Sequence, residues 1–367
     1  MVKKHSVGAL LACASGLGLA QSSVEVYGVV DLAVSSYRGE GAGSKTMMTS
    51  SGLTASRIGF RGKEALGQGM VVGFDLEAGL NVDVGAGLPT NTNNQPSGTT
   101  GGGGITFNRK SYLYLGGKAG QIRLGRDYTP GFWNTFVYDA FRVGAGSGLT
   151  TQGTTSTGLR ASNSVGYFTP GCFTFQCKGP FLQLMYAMGE NTGTGPDRNN
   201  GNYVGFRAGY GAENWDVAVA SGTTKSDVAD NFVQRNIGFG YTWQGHRLML
   251  LAGENKVGKA QASWDGGSRV RYAQIGGWIK PSKSSADYIP VNYTYLKRND
   301  AHNSHAHKLS AGYVHVLSRR TSVYGTVAYI DNSGSLRLPV SSSAELGPIP
   351  KAGGSASGLD IGIRHAF

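Results

Sequence analysis

The sequence has little charge, little proline and little cysteine for a chain of 367 residues. Charged residues make up 15%, with 11 prolines and 3 cysteines, whereas soluble domains carry about 25% charged residues. Ala, Glu, Lys and Leu do not dominate, which excludes a coiled coil. Disorder over the whole length is excluded because 40% of the residues are hydrophobic. Only one apolar run approaches the length of a membrane helix, and it lies at the N-terminus, which excludes a bundle of transmembrane helices.

Acidic residues are also scarce, with 22 against 34 basic ones, for a formal net charge of +12. Glycine is abundant at 59 residues, and the aromatics include 18 tyrosines. The basic residues are spread along the chain instead of being clustered, so the charge does not indicate nucleic-acid binding. The composition as a whole indicates a large, glycine- and tyrosine-rich β protein.

Residues 1–20 have the features of a targeting segment. Lys3, Lys4 and His5 precede an apolar stretch at 7–19, and small residues at 18 and 20 predict cleavage after Ala20. A retained anchor and lipidation at a cysteine in this stretch are weaker alternatives. Removing the two lysines lowers the formal charge from +12 to +10. We therefore predict a signal peptide at 1–20 and one domain at 21–367.

Two cysteines remain in the predicted mature chain, Cys172 and Cys177, with four residues between them. In an exported protein this spacing predicts a small disulfide-closed turn. The alternative is a pair of reduced thiols in a flexible loop. No histidine or second cysteine pair lies nearby in the sequence, which disfavours a metal site.

Apolar and polar side chains alternate along many segments. In residues 24–32 the even-numbered valines share one face, and Glu25, Tyr27 and Asp31 share the other. A side-chain period of two is typical of a strand with two different faces. These segments run to about ten residues, the length at which a strand crosses a bilayer, so they indicate a membrane barrel around an aqueous lumen. No segment shows a comparable helical period, and the nearest helical candidate is 131–141.

Turn signals divide the chain into sixteen candidate strands, an even number, as bacterial single-chain barrels require. We predict an all-β fold, a sixteen-stranded antiparallel transmembrane β-barrel with short periplasmic turns and long outer loops. The predicted strands are 24–37, 53–63, 69–80, 107–116, 120–127, 161–170, 180–190, 202–211, 214–223, 233–243, 246–255, 268–278, 286–296, 306–316, 320–331 and 357–367.

Several segments, taken in order, resemble the Gram-negative general porins, and most closely the basic porins of β-proteobacteria. The segments are 21–31, 56–62, 64–67, 108–112, 120–126 and the C-terminal 362–367, which ends in Phe. The resemblance spans the whole chain. It implies an outer-membrane homotrimer in which small hydrophilic solutes and ions diffuse passively through each lumen, with membrane lipid around it and no cofactor. It also implies that Phe367 is a signal for barrel assembly.

The resemblance places Arg57, Arg109 and Arg160 where such porins carry the basic wall of the pore constriction. Arg57 also lies on the lumen face by its alternation with the apolar residues that follow it. Arg123 faces the lumen by the same period, and we add it to the set. The alternative for each of the four is a solvated surface arginine.

Residues 128–159 are predicted to be the constriction loop, folded into the barrel. A loop of about thirty residues in a compact domain is usually functional, and this one is unusually aromatic, with Phe132, Trp133, Phe136 and Phe141. The alternative is an aromatic outer loop at the trimer axis or the membrane interface. Asp139 is nearly its only carboxylate, which departs from the acidic loop usual in the resembling family.

The scarcity of loop carboxylates tilts the predicted pore toward anions, since basic side chains are how anion pores select. One arginine about 8 Å from a passing anion contributes about 0.5 kcal/mol in water-like dielectric, and salt screening reduces the effect of three to a few-fold. We therefore predict a mild anion preference. The alternatives are a substrate-specific channel for phosphate or organic acids and a non-conducting adhesin or structural barrel.

Other signals in the sequence are weaker. Residues 253–260 are one residue short of a phosphate-binding loop and are not followed by a helical pattern. His302, His305 and His307 have ligand-like spacing, but a solvated loop is the simpler interpretation. No nucleophile elbow accompanies the serines and histidines, so no enzymatic activity is expected.

Overall fold

The computed structural model describes residues 23–148, 157–174, 176–193, 195–226, 230–261, 267–341 and 347–367. The predicted signal peptide therefore lies outside the described residues. Within them, strands dominate, and the regular helices are one α-helix and two short 3₁₀ turns. No helix in the described ranges is long and apolar enough to cross a membrane.

Eighteen strands are present in the described residues, all paired antiparallel. Their bounds are β1 Ser23–Gly39, β2 Gly43–Ser50, β3 Arg57–Gly67, β4 Met70–Asn81, β5 Ala86–Gly87, β6 Lys110–Gly117, β7 Gly120–Tyr128, β8 Arg160–Phe168, β9 Gly179–Ala187, β10 Tyr203–Gly211, β11 Trp215–Thr224, β12 Phe232–Trp243, β13 His246–Gln261, β14 Gly267–Ile279, β15 Ile289–Arg298, β16 His305–Val316, β17 Thr321–Asn332 and β18 Ala356–Ala366. The helix α1 spans Pro130–Val137, and the 3₁₀ turns span Pro96–Gly98 and Pro196–Asn199.

The sheet closes on itself because β1 pairs with β18 on one side and with β2 and β3 on the other. The strands β2 and β3 run in the same direction along β1, so together they form one interrupted wall strand. The two-residue β5 pairs with β4 outside the main sheet. Counted in this way, the described strands form a sixteen-stranded barrel, which confirms the predicted fold.

The predicted second strand, 53–63, is wrong in its bounds, because the chain enters the wall at Gly43 and leaves it between Ser50 and Arg57. The physical reason is the inward-facing carboxylate of Asp31 on β1. It accepts the backbone N–H groups of Leu53 at 3.1 Å and Thr54 at 2.6 Å. These bonds draw the intervening segment out of the ladder and satisfy its amides.

Side chains alternate between the two faces of the wall as predicted. Along β1, Val24, Val26, Val30 and Val34 are exposed on the outer face, whereas Asp31 is fully buried on the inner face. Large apolar residues are exposed on the outer face of most strands, as expected for a lipid-facing band. At the end of the barrel with the short turns, stacked pairs join Tyr210 to Trp215 and Tyr241 to Trp243, which is typical of an aromatic girdle.

Connection lengths follow the predicted asymmetry with three exceptions. The first connection at the long-loop end, between β1 and β2, has only three residues, and two at the opposite end, 169–178 and 280–288, are longer than tight turns. At the C-terminus, Phe367 exchanges backbone hydrogen bonds of 3.1 Å with Gly28 of β1. Gly28 leaves room for the Phe367 ring, because a Cβ at this position would collide with it. The role of Phe367 as an assembly signal stays a prediction.

Candidate pore constriction

The segment between β7 and β8 folds into the barrel, as the constriction-loop prediction requires of its described residues. Its helix α1 begins after Thr129, whose hydroxyl accepts the Phe132 N–H at 3.3 Å, and Pro130 occupies the first turn. The helix is held against the inner wall, because Asn134 donates to the Ala218 carbonyl at 2.9 Å and Asn236 donates to the Gly131 carbonyl at 3.2 Å. The described part of this loop therefore narrows the lumen.

Asp139 lies in this loop but is fully buried, and its carboxylate is directed at the loop's own backbone. It accepts N–H groups of Phe141 at 2.9 Å, Arg142 at 3.0 Å and Gly148 at 2.8 Å, and the Ser147 hydroxyl at 2.9 Å. These bonds tighten the turn in which Arg142 adopts a φ of 66°. The structure thus places the Asp139 carboxylate behind the loop and not beside the four arginines of the predicted constriction.

A cavity of about 770 Å³ lies inside the barrel beside this loop. It is lined by cationic side chains from strands, loop and turns, and Glu77 supplies the only carboxylate among its described lining residues. The cationic residues are Arg57, Arg61, Arg109, Lys110, Arg142, Lys280 and Arg364. Basic side chains therefore outnumber acidic ones in the lining of the cavity.

On one side of the cavity the cations are paired with carboxylates. The side chain of Glu77, 5% exposed, receives Arg109 Nε at 2.6 Å and Arg57 Nε at 3.3 Å, and Lys110 Nζ lies 3.0 Å from Asp75 Oδ2. Tyr27 donates to Asp75 at 2.7 Å and contacts Glu77 at 3.1 Å. We call this side the paired wall; it consists of Tyr27, Arg57, Asp75, Glu77, Arg109 and Lys110.

On the other side the cations have no such partners. Among the described residues, no carboxylate oxygen lies within 4.0 Å of Arg142, Lys280 or Arg364. Lys280 donates instead to the Ala286 carbonyl at 2.9 Å. Burial lowers the pKa of the Arg142 guanidinium, but arginine side chains remain charged in proteins at neutral pH. We call this side the open wall; it consists of Phe136, Arg142, Trp278, Lys280, Tyr288 and Arg364.

The other two arginines of the predicted set lie apart from the cavity lining. The guanidinium of Arg160 lies 4.6 Å from the ring centroid of Tyr128 and donates to its hydroxyl at 3.3 Å. The same ring lies 5.9 Å from the guanidinium of Arg109. Arg123 is buried and bonds Asp127 at 2.7 Å, so it lies on the inner face but holds neighbouring wall residues together.

The structure joins Cys172 to Cys177 by a disulfide at the short-turn end. This turn folds toward the lumen, since Cys172 is fully buried and inward-facing side chains of the wall reach it. Arg123 donates to the Phe173 carbonyl at 2.8 Å, and Arg207 contacts Cys177 Sγ at 3.5 Å. Arg207 also donates to Asn134 of α1 at 2.7 Å, which connects the disulfide turn to the constriction helix.

Sequence reasoning left five of the seven cationic lining residues out of the candidate site, namely Arg61, Lys110, Arg142, Lys280 and Arg364. Arg364 had a usable signal, because the period of two in the last nine residues sets it opposite the apolar face. Lys280 had none, since it lies in a turn that only the closed barrel brings beside the loop.

The three histidines lie elsewhere, with His305 and His307 on the outer face of β16 and His302 in the connection between β15 and β16. His305 and His307 contact the rings of Tyr293 and Tyr295, with His307 Nδ1 2.7 Å from the Tyr293 hydroxyl. No group of three or more possible ligands that could hold a metal ion occurs in the part of the chain that the structure describes.

Comparisons with known proteins agree with this geometry. A family model for Gram-negative porins matches residues 7–335. The chain is 29% identical over 388 aligned positions to outer membrane porin protein 32 of Delftia acidovorans, and the match covers 100% of both chains. The solved anion-selective porin from Comamonas acidovorans superposes with a TM-score of 0.79 at 29% identity, over 95% of this chain and 100% of that one.

More distant structures share the fold alone. The trimer form of OmpT from Vibrio cholerae superposes with a TM-score of 0.65 at 15% identity, over 94% of this chain and 99% of that one. OmpF of Salmonella typhi gives a TM-score of 0.60 at 14% identity, over 94% and 97%.

Proposed function

Because this chain belongs to the Gram-negative porin family, we propose that its channel conducts anions in preference to cations. The chain is an outer-membrane porin, a non-enzymatic barrel with a water-filled lumen. The preference is the part that we add. One similar solved porin is described as anion-selective.

The single observation that supports the preference is the imbalance of charge around the cavity. Seven cationic side chains and one carboxylate line it. The paired wall is nearly neutral, because Asp75 and Glu77 offset most of its three cations. The seventh cation, Arg61, is paired with Glu25. The open wall supplies three cations without a close ion pair, each contributing about 0.5 kcal/mol to an anion about 8 Å away. Screening at physiological salt reduces the total to a preference of a few-fold.

The predicted site residues then take different roles in this proposal. Arg57 and Arg109 act on passing anions as a pair that shares Glu77. Arg160 positions the Tyr128 ring beside them, whereas Arg123 and Asp139 maintain the wall and the loop. These roles separate the residues that act on solutes from those that hold the shape of the pore.

The test of the preference is the zero-current potential in a planar bilayer across a KCl gradient. We expect a potential of the sign set by chloride, corresponding to a chloride permeability a few-fold above that of potassium. A zero potential or one of the potassium sign would contradict the proposal. The absence of current would instead favour a non-conducting barrel.

We also propose that three copies of the chain assemble. On the outer face, a concave apolar patch of about 750 Å³ lies where β18 meets β1 and β2, and it includes Val34, Met48, Ile361 and Ile363. One structure similar in fold, OmpT of Vibrio cholerae, is a trimer form. A native mass of three chains in detergent, reduced to one chain by Val34→Arg with Ile361→Arg, would support this assembly. A wild-type mass of one chain would contradict it.

A further inference from the structure

The open wall carries aromatic rings as well as unpaired cations, and nothing in the anion preference requires the rings. Phe136, Trp278 and Tyr288 line the same part of the cavity as Arg142, Lys280 and Arg364, and all three rings are partly exposed. We infer that the open wall is a binding subsite for aromatic carboxylates. The inference rests on the proposed function as an anion-preferring pore and specifies a solute class for the same site.

The rings form a preformed surface. The Trp278 indole N–H donates to the Ala140 carbonyl at 2.8 Å, which fixes the indole against the constriction loop. The centroids of Trp278 and Tyr288 lie 6.0 Å apart. The guanidinium carbon of Arg142 lies 5.0 Å from the Phe136 centroid and 5.1 Å from the Trp278 centroid. Little ordering is therefore needed when a flat ring binds here.

Two cations of the open wall face the cavity without an ion pair among the described residues. Arg142 and Arg364 are half-buried and line the cavity, whereas the Nε atom of each is itself buried and has no hydrogen-bond partner. Arg364 lies opposite Asp31 in the sheet register, but that carboxylate is occupied by the Tyr324 hydroxyl at 2.6 Å and by backbone amides. A carboxylate in the cavity would bind the side of each guanidinium that faces the lumen, since arginine presents a fork of donors that matches a carboxylate.

An aromatic carboxylate uses both features of the open wall, whereas chloride or acetate uses only the charge. On the paired wall the donors are occupied, with Arg109 and Arg57 on Glu77 and Lys110 on Asp75. A solute that bound there would have to displace a carboxylate already in place. Binding is therefore expected on the open wall, at the site where charge and ring surface coincide.

The experiment compares benzoate with acetate as blockers of KCl current through single channels of the full-length protein in planar bilayers. The two anions carry the same charge, so charge alone predicts equal block. Burying about half of a benzene ring against apolar surface should lower the half-blocking concentration of benzoate about tenfold relative to acetate. Each current is normalised to that variant's own KCl current.

The variants separate the two walls. Trp278→Leu and, independently, Tyr288→Leu should reduce the benzoate-to-acetate ratio toward one. Tyr27→Leu, which removes a ring of the paired wall from the same cavity, should retain the wild-type ratio and is the matched control.

The outcomes distinguish this inference from the proposed function. Equal block by benzoate and acetate in a channel that prefers chloride overturns the inference alone. A wild-type ratio that persists in both Trp278→Leu and Tyr288→Leu also overturns it. Absence of KCl current overturns the proposed function and the inference with it. A raised ratio that both open-wall variants lower, and the control does not, supports the inference.

Discussion

The two walls of the constriction contain the same basic residue types but differ in how their charge is compensated. On the paired wall, Glu77 contacts both Arg57 and Arg109, and Asp75 contacts Lys110. On the open wall, Arg142, Lys280 and Arg364 have aromatic rings beside them where the paired wall has carboxylates.

The difference follows from where each wall is built. Most of the paired wall lies on neighbouring strands. The sheet register sets Glu77 directly opposite Lys110, so the basic side chains of one strand lie close to the carboxylates of the next. The open wall combines a loop, a turn and the last strand, which are distant in the sequence. Its Arg364 does have a cross-strand acid, Asp31, but that acid is already used to hold the break between β2 and β3. The charge of Asp31 still offsets part of that of Arg364. What the open wall lacks, among the described residues, is a close ion pair of the kind that joins Glu77 to Arg57 and Arg109.

The largest effect on stability is expected from removing the Glu77 carboxylate, which Arg57 and Arg109 share. Glu77→Gln leaves Arg57 and Arg109 close together without a counter-charge, and breaking such a pair should lower the free energy of unfolding by about 3 kcal/mol. The same change should raise the anion preference. Urea unfolding in lipid vesicles measures the first effect and zero-current potentials the second.

Glu25→Gln is the control for this change. It breaks the pair with Arg61, in which both side chains are 55% exposed. An exposed pair contributes less than about 1 kcal/mol. Equal stability losses in the two variants would contradict the distinction between buried and exposed pairs on this wall.

The next largest effect, on stability and on current noise, is expected from removing the disulfide turn that supports the loop carrying Arg142. Replacing Cys172 and Cys177 together by serine opens the disulfide turn, and for so short a loop the expected stability loss is about 2 kcal/mol. Because Arg207 connects Cys177 to Asn134 of α1, the variant should also show noisier open-channel current.

Reducing agent should make the open-channel current of the wild type noisier and should leave the current of the double variant unchanged. The ion pair between Arg57 and Glu77 does not touch this turn. The double variant should therefore keep that ion pair. Quiet current in a stably folded double variant would show that the disulfide turn does not support the constriction loop.

The smallest effect is a pH dependence at the turn beside Lys280 and Tyr288. Asp287 has a pKa lowered to about 2, first because the Val316 N–H donates to it, and then because His315 and Tyr313 do. Its ionised form is favoured by folding. The stabilisation is therefore complete above the ordinary pKa of 3.8 and is lost as the pH falls toward 2. Asp287→Asn should lower the unfolding temperature at pH 7 but not near pH 2, and a difference of constant size would contradict this assignment.

Much of the barrel was predictable because its determinant is local. The alternation along residues 24–32 assigns each side chain to the lumen or the lipid without any tertiary information. The break between β2 and β3 was not predictable, because it depends on Asp31 capturing amides more than twenty residues away. The glycine-rich connection between β1 and β2 also concealed the start of the second wall strand.

The positions of some candidate constriction residues were predictable for the same reason, while their role in the pore stays a prediction. The side-chain period of two assigns Arg57 to the lumen face, and the family resemblance placed Arg109 in the constriction. In the structure both arginines contact Glu77. Lys280 was missed because its position depends on closure of the barrel. Asp139 was assigned to the pore by its charge, but its orientation is set by hydrogen bonds inside the loop.

The most direct test of the unequal walls is the zero-current potential of two triple variants across the same KCl gradient. One replaces Arg142, Lys280 and Arg364 by glutamine, and the other replaces Arg57, Arg109 and Glu77 by glutamine. We expect the first to lose most of the chloride preference, because three cations that form no close ion pair are removed, and the second to keep most of it, because its net loss is one charge. A chloride preference that persists in the first variant and disappears in the second would contradict the assignment of selectivity to the open wall.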